Sequence, residues 1–241
     1  MYLAWIANCL TIARLGDAYR GYLLKKEAGV SFTVTLGTVV AERLLDLIVL
    51  VVMMGVGLLV LFHGSLPVEA AQALAAGLVL TGIGVLGLLS MRHLKGVVEG
   101  VLPKRLHTHY ARLEHGVTGS FRRRLLLLIA YSIIGWVIEA TTLYTITAAV
   151  GIPVSVAGAL VVALAASLLT TVPITPVGLG FTEGGMVLML QWLGLDIYIA
   201  SAVTFLFRVI NYWSIVVFGF VLYVWSRNRN WLTEERLWPH A

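Results

Sequence analysis

The sequence predicts an all-α, polytopic membrane protein that contains re-entrant or broken helices and an inverted repeat. Of its 241 residues, 59% are hydrophobic and 12% are charged, whereas soluble domains carry about 25% charged residues. The mean hydropathy of +0.93 also favours a membrane location. Two arginines, Arg43 and Arg208, lie inside the longest apolar runs in matching surroundings. The composition predicts membrane helices, and the arginines predict a duplicated site.

The apolar runs predict where helices cross the membrane. A helix needs about 20 apolar residues to span a bilayer core of about 30 Å. A fifth run, Val154–Val172, barely reaches this length, and Met1–Ala13 and Gly184–Leu195 fall short of it. The short runs are therefore expected to be re-entrant or half helices. The predicted full spans are Ser31–Phe62, Val68–Ser90, Leu125–Val150 and Ile197–Trp225.

Lysine and arginine cluster in three segments, which predicts the orientation. Four lie between Arg14 and Lys26, eight between Arg92 and Arg124, and three in the C-terminal tail. Because cytoplasmic loops carry an excess of these residues, all three segments are expected on the cytoplasmic side of the plasma membrane. The predicted organisation is one transmembrane domain, 1–241, with a first repeat at about 1–91, a basic loop at 92–124, a second repeat at about 125–225 and a tail at 226–241.

This orientation constrains the segment from Val154 to Leu195. The preceding predicted span ends on the outer side of the membrane, and the last span must begin on that side. The segment between them therefore has to enter and leave the membrane on the outer side. A re-entrant hairpin with a broken tip at Thr170–Gly185 meets that requirement. An unequal hairpin in which one arm crosses fully meets it equally well.

A shift of 165 positions aligns the two arginine-containing runs without a gap. A charge deep in hydrocarbon costs about 2.5–3.5 kcal/mol even on lenient scales, so two charges at equivalent places indicate a repeated site. The predicted topology runs the two copies in opposite directions, as in transporters built from inverted repeats. The equivalent positions are Gly29 and Gly194, Arg43 and Arg208, and Asp46 and Asn211, preceded by Gly16-Asp17 in one copy and by Gly180 and Glu183 in the other.

The cluster Glu42, Arg43 and Asp46 shares one side of its predicted helix, because its members are three or four residues apart. Arg43 lies about 18 Å from Ser31 along that helix, near the bilayer centre. Two compatible interpretations follow: a site for an anionic group, and an internal ion pair that ties helices together.

Glu139 lies about 22 Å into its predicted span, with no basic residue beside it in sequence. It is expected to point into the bundle and to pair with Arg208 or Arg43. A proton-relay role is the weaker alternative.

The segment PITPVGLGFTEGG predicts irregular backbone at membrane depth. Pro173 and Pro176 remove backbone donors and end the incoming helix, and Gly178 and Gly180 permit a tight turn beside a ligand. Glu183 near the start of the next short helix either caps that helix or leaves its free N–H groups to hold an anion.

Arg14, Asp17 and Arg20 are expected at the cytoplasmic surface, in a pattern too regular for a basic rim alone. The basic loop with its four histidines is interpreted as a solvated segment at the lipid surface. The spacing of His107 and His109 does not indicate a metal site. No nucleotide-binding or hydrolase motif is present in the sequence, and no metal, cofactor or nucleic acid is expected.

RLGDAYR, AERLLD and PITPVGLGFTEGG, in this order, resemble the lysylphosphatidylglycerol synthase transmembrane (flippase-like) family. The family pattern comprises R-x-G-E/D-x-x-R, E-R-x-x-D and P-x-x-P-G-G-L-G-x-x-E. Two departures are Val177 in place of a glycine and Thr182 where the family often has arginine. From the resemblance, we also expect about two further helices of the family pattern before the first residue given. The resemblance extends to Arg14, Gly16, Asp17, Arg20, Glu42, Arg43, Asp46, Pro173, Pro176, Gly178, Gly180 and Glu183.

The resemblance implies a membrane protein that moves phospholipids or polyprenyl-linked head groups, and no enzyme activity, since no soluble aminoacyl-transferase domain follows in this sequence. Phosphate is expected at Arg43 and Arg208, with Asn211 beside the second arginine, while the acids balance charge or admit a cationic head group. An ion-coupled small-solute transporter is one alternative. A non-transporting partner of a membrane glycosyltransferase or synthase is another, and a homo-oligomer is compatible with each.

Overall fold

The computed structural model describes residues 15–93, 103–171 and 178–228, and within these ranges it contains helices and turns without any strand. The fold is therefore all-α, as predicted. The helices are α1 (Leu15–Ala28), α2 (Phe32–Leu61), α3 (Val68–His93), α4 (Lys104–Ala149), α5 (Val156–Thr171), α6 (Phe181–Trp192), α7 (Ile197–Arg208), a π-helical turn (Val209–Trp213) and α8 (Ser214–Asn228).

The four predicted spans are confirmed as helices that are long and apolar enough to cross a membrane. They are Phe32–Leu61, Ala70–Leu88, Leu125–Ala149 and Ile197–Val221. The shorter apolar helix at Val156–Thr170 matches the run that barely reached spanning length. The chain is thus an integral membrane protein of several spans.

Helices α1 and α2 form a hairpin whose turn depends on glycine. Gly29 has φ +64°, a backbone conformation that other residues rarely adopt. In α1, a Cβ on Gly21 would lie 2.9 Å from the Phe32 ring. The missing side chain at Gly21 therefore lets α1 fold back closely against the start of α2.

Helices α6 and α7 form a second hairpin of the same construction. Its turn contains Gly194 with φ +92°. Asp196 then caps α7 by accepting a hydrogen bond from the Tyr198 amide at 2.8 Å. Gly29 and Gly194, which the 165-position shift superimposes, thus occupy the same place in the two hairpins. The inverted relation between the copies stays a prediction.

The short helix α5 lies at the centre of the packing. It contributes Val161 and Leu164 to one apolar cluster and Ala163 to another. The first cluster joins α5 to α2 and α3, and the second joins α5 to α4, α6 and α7. Alanines on α5 allow the neighbouring helices to approach closely, so α5 connects the two apolar clusters.

The segment expected to be a basic loop at 92–124 is helical from Lys104 onward. Helix α4 continues without a break to Ala149, 46 residues in all and about 69 Å long. The charge pattern predicts the membrane side of this segment, which stays a prediction, and it does not predict the backbone. Arginine, leucine and lysine are good helix formers, so a basic segment can also be helical. The N-terminal half of α4 packs on α2. The contact between α2 and α4 is the most extensive one between helices in the described ranges.

The last span is interrupted, in contrast to the single helix that its hydropathy predicts. A π-helical turn at Val209–Trp213 follows Arg208 directly and separates α7 from α8. Single π turns inside helices insert an extra residue and are frequent at functional sites. Here the turn brings the Tyr212 ring under the arginine, with 5.1 Å between the Arg208 Cζ atom and the ring centroid.

Close contact between α2 and α4 depends on two glycines. A Cβ on Gly37 would lie 2.3 Å from the Leu113 carbonyl oxygen, and a Cβ on Gly116 would lie 2.2 Å from that of Val34. Both obstacles are backbone atoms, which cannot rotate away as a side chain would. The two helices therefore touch backbone to backbone at this crossing.

We expect Gly37→Ala to lower the unfolding temperature by about 3 °C or more, since overpacking costs about 1–3 kcal/mol. Thermal unfolding of the purified protein in detergent measures the change. Gly119→Ala on the same helix as Gly116 is the matched control, because its Cβ would meet nothing within 4 Å. Equal unfolding temperatures for the two variants would contradict the crossing.

Candidate functional site

The first polar cluster joins α1 to the middle of α2 through two ion pairs. Arg20 Nη1 lies 3.1 Å from Glu42 Oε2, and Arg43 Nη2 lies 3.4 Å from Asp17 Oδ2. Arg43 Nη1 is also 4.0 Å from Asp46 Oδ2 on its own helix. Each helix carries one acid and one arginine, Asp17 and Arg20 on α1 and Glu42 and Arg43 on α2. The hairpin places each arginine opposite the acid of the other helix.

The structure brings Asp17 and Arg20 beside Glu42 and Arg43, at a level about 17 Å along α2 from Phe32. The tight turn at Gly29 carries α1 back along α2 and so makes these contacts. The regular spacing of these residues therefore reflects ion pairs between the two helices, and their position at the cytoplasmic surface stays a prediction.

The second cluster joins α6 to α7 through one short ion pair. Arg208 Nε donates to Glu183 Oε1 at 2.6 Å. The other carboxylate oxygen of Glu183 accepts from the Gly180 amide at 2.6 Å. Glu183 thus caps its own helix and pairs with the arginine at the same time, which confirms the capping interpretation. The binding of an anion by free N–H groups at this helix start stays a prediction.

The two clusters contain the same kind of ion pair, but their arginine side chains differ in solvent exposure. In each, an acid at the start of a short helix pairs with an arginine of the following helix. The Arg208 side chain is 7% exposed and lies on Tyr212, whereas the Arg43 side chain is 47% exposed and its pair is longer. Arg43 and Arg208 therefore have equivalent positions in the two hairpins but not equivalent surroundings. Of the two, only Arg43 is open to a ligand in this conformation.

A cavity of about 390 Å³ lies between α2 and α4, next to the first cluster. Asp46 accepts a hydrogen bond from the Ser132 hydroxyl at 2.5 Å, which fixes one wall. The volume falls in the range of small-molecule sites, about 300–1,000 Å³. The lining residues are Glu42, Leu45, Asp46, Leu128, Tyr131, Ser132, Gly135, Trp136 and Glu139.

The expected pairing of Glu139 with Arg208 or Arg43 is wrong. Glu139 Oε1 accepts a hydrogen bond from the Ser167 hydroxyl of α5 at 2.6 Å. Both arginines are held by acids closer to them, Glu183 and Asp17. Glu139 does point into the bundle as predicted, where it contributes a third carboxylate to the cavity.

Sequence reasoning missed Ser132, Ser167 and Trp136. Each serine donates to a carboxylate of the cavity, and Trp136 supplies a wall. The available signal was helical spacing: Ser132, Trp136 and Glu139 are three and four residues apart and share one face of α4. Serine and tryptophan are too common in membrane helices for that spacing to be specific.

The broken tip of the α5–α6 hairpin is described in part. Arg14, Pro173 and Pro176 lie outside the described residues. Gly178 is buried with φ +69°, and a Cβ there would lie 2.3 Å from Thr182 Oγ1. Gly180 begins α6 with φ +83°. Both glycines are therefore required by the backbone, as their place in the motif predicts.

Two further sequence interpretations concern ligands. Asn211 donates to the Phe207 carbonyl one turn earlier, at 3.2 Å, and its role at a binding site stays a prediction. His109 Nδ1 lies 3.2 Å from the Thr33 hydroxyl. Among the described residues, no group of three or more His, Cys, Asp or Glu side chains is arranged to hold a metal ion.

Because Arg208 is buried and Arg43 is not, we expect their removal to affect stability differently. Breaking a buried pair costs about 3–5 kcal/mol, whereas an exposed pair contributes about 1 kcal/mol or less. Arg208→Ala should therefore lower the unfolding temperature of the purified protein more than Arg43→Ala does. Similar losses for both variants would show that the two pairs are energetically equivalent.

The sequence matches known proteins along most of its length. A sequence model described as the lysylphosphatidylglycerol synthase TM region matches residues 1–219. A UPF0104 membrane protein of Methanocaldococcus jannaschii is 34% identical over 92% of this chain and 94% of its own length. A UPF0104 membrane protein of Methanothermobacter thermautotrophicus is 25% identical over 85% of this chain and 67% of its own length.

One relative has a more specific name. The glycosyltransferase AglD of Haloferax volcanii is 25% identical over 76% of this chain, a match that covers 35% of AglD. No solved structure matches the chain. The match of the family model across nine-tenths of the sequence, with its motif residues paired as described, shows that the chain belongs to the lysylphosphatidylglycerol synthase transmembrane region family.

Proposed function

We propose that this protein translocates a lipid, or a lipid-linked head group, by binding its phosphate at Arg43. The observation that carries the proposal is a half-exposed arginine inside a membrane-spanning helix, beside a cavity of ligand size. A charge in that position is costly unless it is paired, and intramembrane charges usually mark a substrate path. Lipid phosphates are the anions that a membrane supplies in quantity.

The long contact between Arg43 and Asp17 supports exchange of partners. At 3.4 Å and with half of the arginine exposed, the pair leaves guanidinium N–H groups available. A phosphate can accept two parallel hydrogen bonds from one guanidinium, an arrangement stronger than a single neutral hydrogen bond. An incoming phosphate can therefore replace Asp17 without leaving Arg43 unpaired in hydrocarbon.

Arg208 supports a two-sided mechanism. Under the inverted-repeat hypothesis, the α1–α2 and α6–α7 hairpins are equivalent, so one arginine is open while the other is closed by its acid. Transporters with such repeats alternate between two conformations around a site near the bilayer midplane. We propose that opening the second hairpin lengthens the Arg208–Glu183 contact and exposes that arginine on the opposite side.

The energy source follows from the sequence in part. With no nucleotide-binding motif in this sequence, we propose movement down a lipid gradient or coupling to an ion. We further propose a plasma membrane location with the basic segments on the cytoplasmic side, as the charge distribution predicts.

A second candidate function rests on one relative. Because this chain matches part of a protein named glycosyltransferase AglD, it could act as a non-transporting membrane partner of a glycosyltransferase. Copurification with such an enzyme, combined with no lipid movement by the purified chain, would favour this candidate over translocation. The alternative of an ion-coupled small-solute transporter is tested in the same transport assay, where it predicts solute flux without lipid crossing.

Lipid movement can be measured on the purified chain in liposomes that contain a fluorescent anionic phospholipid. Dithionite reduces only the outer-leaflet dye, so protein-dependent crossing makes the inner-leaflet dye accessible as well. We expect Arg43→Ala to slow crossing about tenfold or more, since charge-assisted hydrogen bonds contribute about 1.5–3 kcal/mol. Arg208→Ala should also lose activity, but Arg43→Ala is the cleaner variant because its pair contributes less to folding.

The matched control is Arg112→Ala, which removes an exposed arginine of α4 outside the apolar span. Undiminished crossing in both Arg43→Ala and Arg208→Ala would contradict the proposed site. Solute flux without lipid crossing would favour the small-solute alternative.

The orientation has its own test, because the sequence has a single cysteine, Cys9. In a Cys9→Ser background, a cysteine is introduced either at Lys25, which is exposed near the end of α1, or at Ser65, which is exposed in the α2–α3 turn. A maleimide that cannot cross membranes, added to intact cells, should label the Ser65→Cys variant alone. Labelling of the Lys25→Cys variant alone would reverse the proposed orientation.

A further inference from the structure

We propose that Glu139 binds a proton when a phosphate binds at Arg43, so that lipid binding is coupled to the uptake of a proton. This inference rests on the proposed function, and it names the coupling ion and the residue that carries it. The proton would reach Glu139 through the cavity between α2 and α4, which this residue lines. A proton gradient could then drive lipid movement.

The depth of Glu139 is the first argument. It lies about 21 Å along α4 from Leu125, where the apolar part of this helix begins. A carboxylate at that depth is costly unless a cation neutralises it. Glu139 Oε1 accepts a hydrogen bond from the Ser167 hydroxyl at 2.6 Å, and within the described residues no ion pair joins Glu139 to an arginine or a lysine. Because a hydroxyl group carries no charge, a bound proton is the partner that can neutralise this side chain.

The surroundings of Glu139 are apolar on one side and open on the other. Ala140 and Leu143 of the same helix are buried in an apolar cluster. On the other side, the cavity walls include the Glu42 and Asp46 side chains, which are 35% and 37% exposed. A neutral carboxyl group therefore fits the core, and a proton can enter or leave through the cavity.

The other acids of the cavity each have an arginine nearby. Glu42 lies 3.1 Å from Arg20, and Asp46 lies 4.0 Å from Arg43. Glu139 is the cavity acid that relies on a hydroxyl group alone among the described side chains. The proton is therefore expected on Glu139.

The remaining ionisable residues near α4 leave this assignment unchanged. Arg208 of α7 is held by Glu183 at 2.6 Å, so it does not neutralise Glu139. The ionisable residues of the apolar part of α4 and of the other helices packed against it, beyond those of α2, are Tyr131 and Tyr144 on α4, Tyr198 and Arg208 on α7, and Glu69, Arg92 and His93 at the ends of α3, whereas α5 has none.

Repulsion between like charges couples the proton to the phosphate. Asp46 lies 4.0 Å from Arg43 and lines the cavity together with Glu139, so a phosphate on Arg43 would lie beside these acids. Like charges repel more strongly in a protein interior than in water. A proton on Glu139 removes one of the negative charges that oppose the phosphate. By linkage, each of the two ligands then increases the affinity for the other.

Helix α5 connects Glu139 to the second arginine. Two residues after Ser167, the Leu169 side chain occupies the space that a Cβ on Gly185 of α6 would need. Helix α6 also carries the acid that holds Arg208. A protonated carboxyl group can donate a hydrogen bond, whereas a carboxylate only accepts, so proton uptake changes the contact with Ser167. The change therefore arises on the helix that packs against the partner of Arg208.

Proton uptake on anion binding tests the coupling without any lipid movement. Isothermal titration calorimetry with glycerophosphoglycerol would be run on the protein in a non-ionic detergent, in two buffers of different ionisation heat. The difference in binding heat gives the number of protons taken up for each anion bound. This phosphodiester keeps a single charge near neutral pH, so the uptake comes from the protein. We expect a positive uptake, and an affinity that rises by up to about tenfold as the pH falls, as for two charges about 10 Å apart in a protein.

Glu139→Gln should abolish both the proton uptake and the pH dependence, since glutamine keeps an acceptor for Ser167 and does not titrate. If Glu139 only ties α4 to α5, this variant should take up protons like the unaltered protein, and that result would overturn the proposal. Glu27→Gln is the matched control, because it removes an exposed acid at the end of α1 and should keep the full uptake. Loss of the uptake in Asp46→Asn alone would assign the proton to Asp46 and also overturn the proposal.

The proton itself can be observed in the lipid-free protein. Infrared difference spectra between acidic and alkaline solution should contain the carbonyl band of a protonated carboxyl group that is lost in Glu139→Gln. Ser167→Ala should shift this band without removing it, because the hydrogen bond from the serine changes the carbonyl stretch. Identical spectra for Glu139→Gln and the unaltered protein would contradict protonation of Glu139.

The two proposals fail in different ways. Lipid crossing that depends on Arg43, with no proton uptake and no response to a pH gradient across the liposome, would remove the proton site and leave translocation standing. Proton uptake that depends on Glu139 and Arg43, without any lipid crossing, would leave the linked binding standing and remove translocation.

Discussion

The cost of placing a charge in hydrocarbon is the constraint on which the polar architecture of this protein depends. Each arginine within the apolar spans has an acid within reach, Asp17 for Arg43 and Glu183 for Arg208. In both pairs the acid comes from the helix that precedes the arginine's helix in a hairpin, α1 for Arg43 and α6 for Arg208. The hairpins, with glycine at each turn, therefore bring a neutralising acid to an arginine inside an apolar span.

The two arginine–acid pairs satisfy this constraint with different numbers of additional contacts. Glu183 also caps its helix, and Arg208 lies on the Tyr212 ring that the π-helical turn brings beneath it. Asp17 has no equivalent arrangement with Arg43, which keeps half of its side chain open beside a cavity. Arg208 is held by one short ion pair and an aromatic ring, whereas Arg43 is held by longer contacts to Asp17 and Asp46. Under the proposed function, a phosphate would therefore displace the partner of Arg43 more readily than that of Arg208.

Hydropathy predicted the spans, and the 165-position shift predicted the matching glycines Gly29 and Gly194, because both follow from local sequence. The depth of Arg43 in the bilayer stays a prediction. Contacts between distant segments were harder to predict. Glu139 was expected to pair with an arginine, yet Ser167 of α5 is its partner, and nothing in sequence distinguishes a serine that bonds a carboxylate from one that bonds its own backbone. The helical form of the segment after Lys104 was missed for another reason: charge indicates which side of the membrane a segment occupies and says little about its backbone.

Under the inverted-repeat hypothesis, the surroundings of the two arginine–acid pairs can be compared position by position. Asp46 and Asn211 are equivalent in the shifted alignment, and only Asp46 contributes to an acidic cavity, while Asn211 bonds its own helix backbone. The two halves therefore share an arginine–acid pair and differ in what surrounds it. Under the proposed translocation, the phosphate would lie beside an acidic cavity at Arg43 and beside the Tyr212 ring at Arg208. The two arginines therefore offer the rest of the lipid different surroundings.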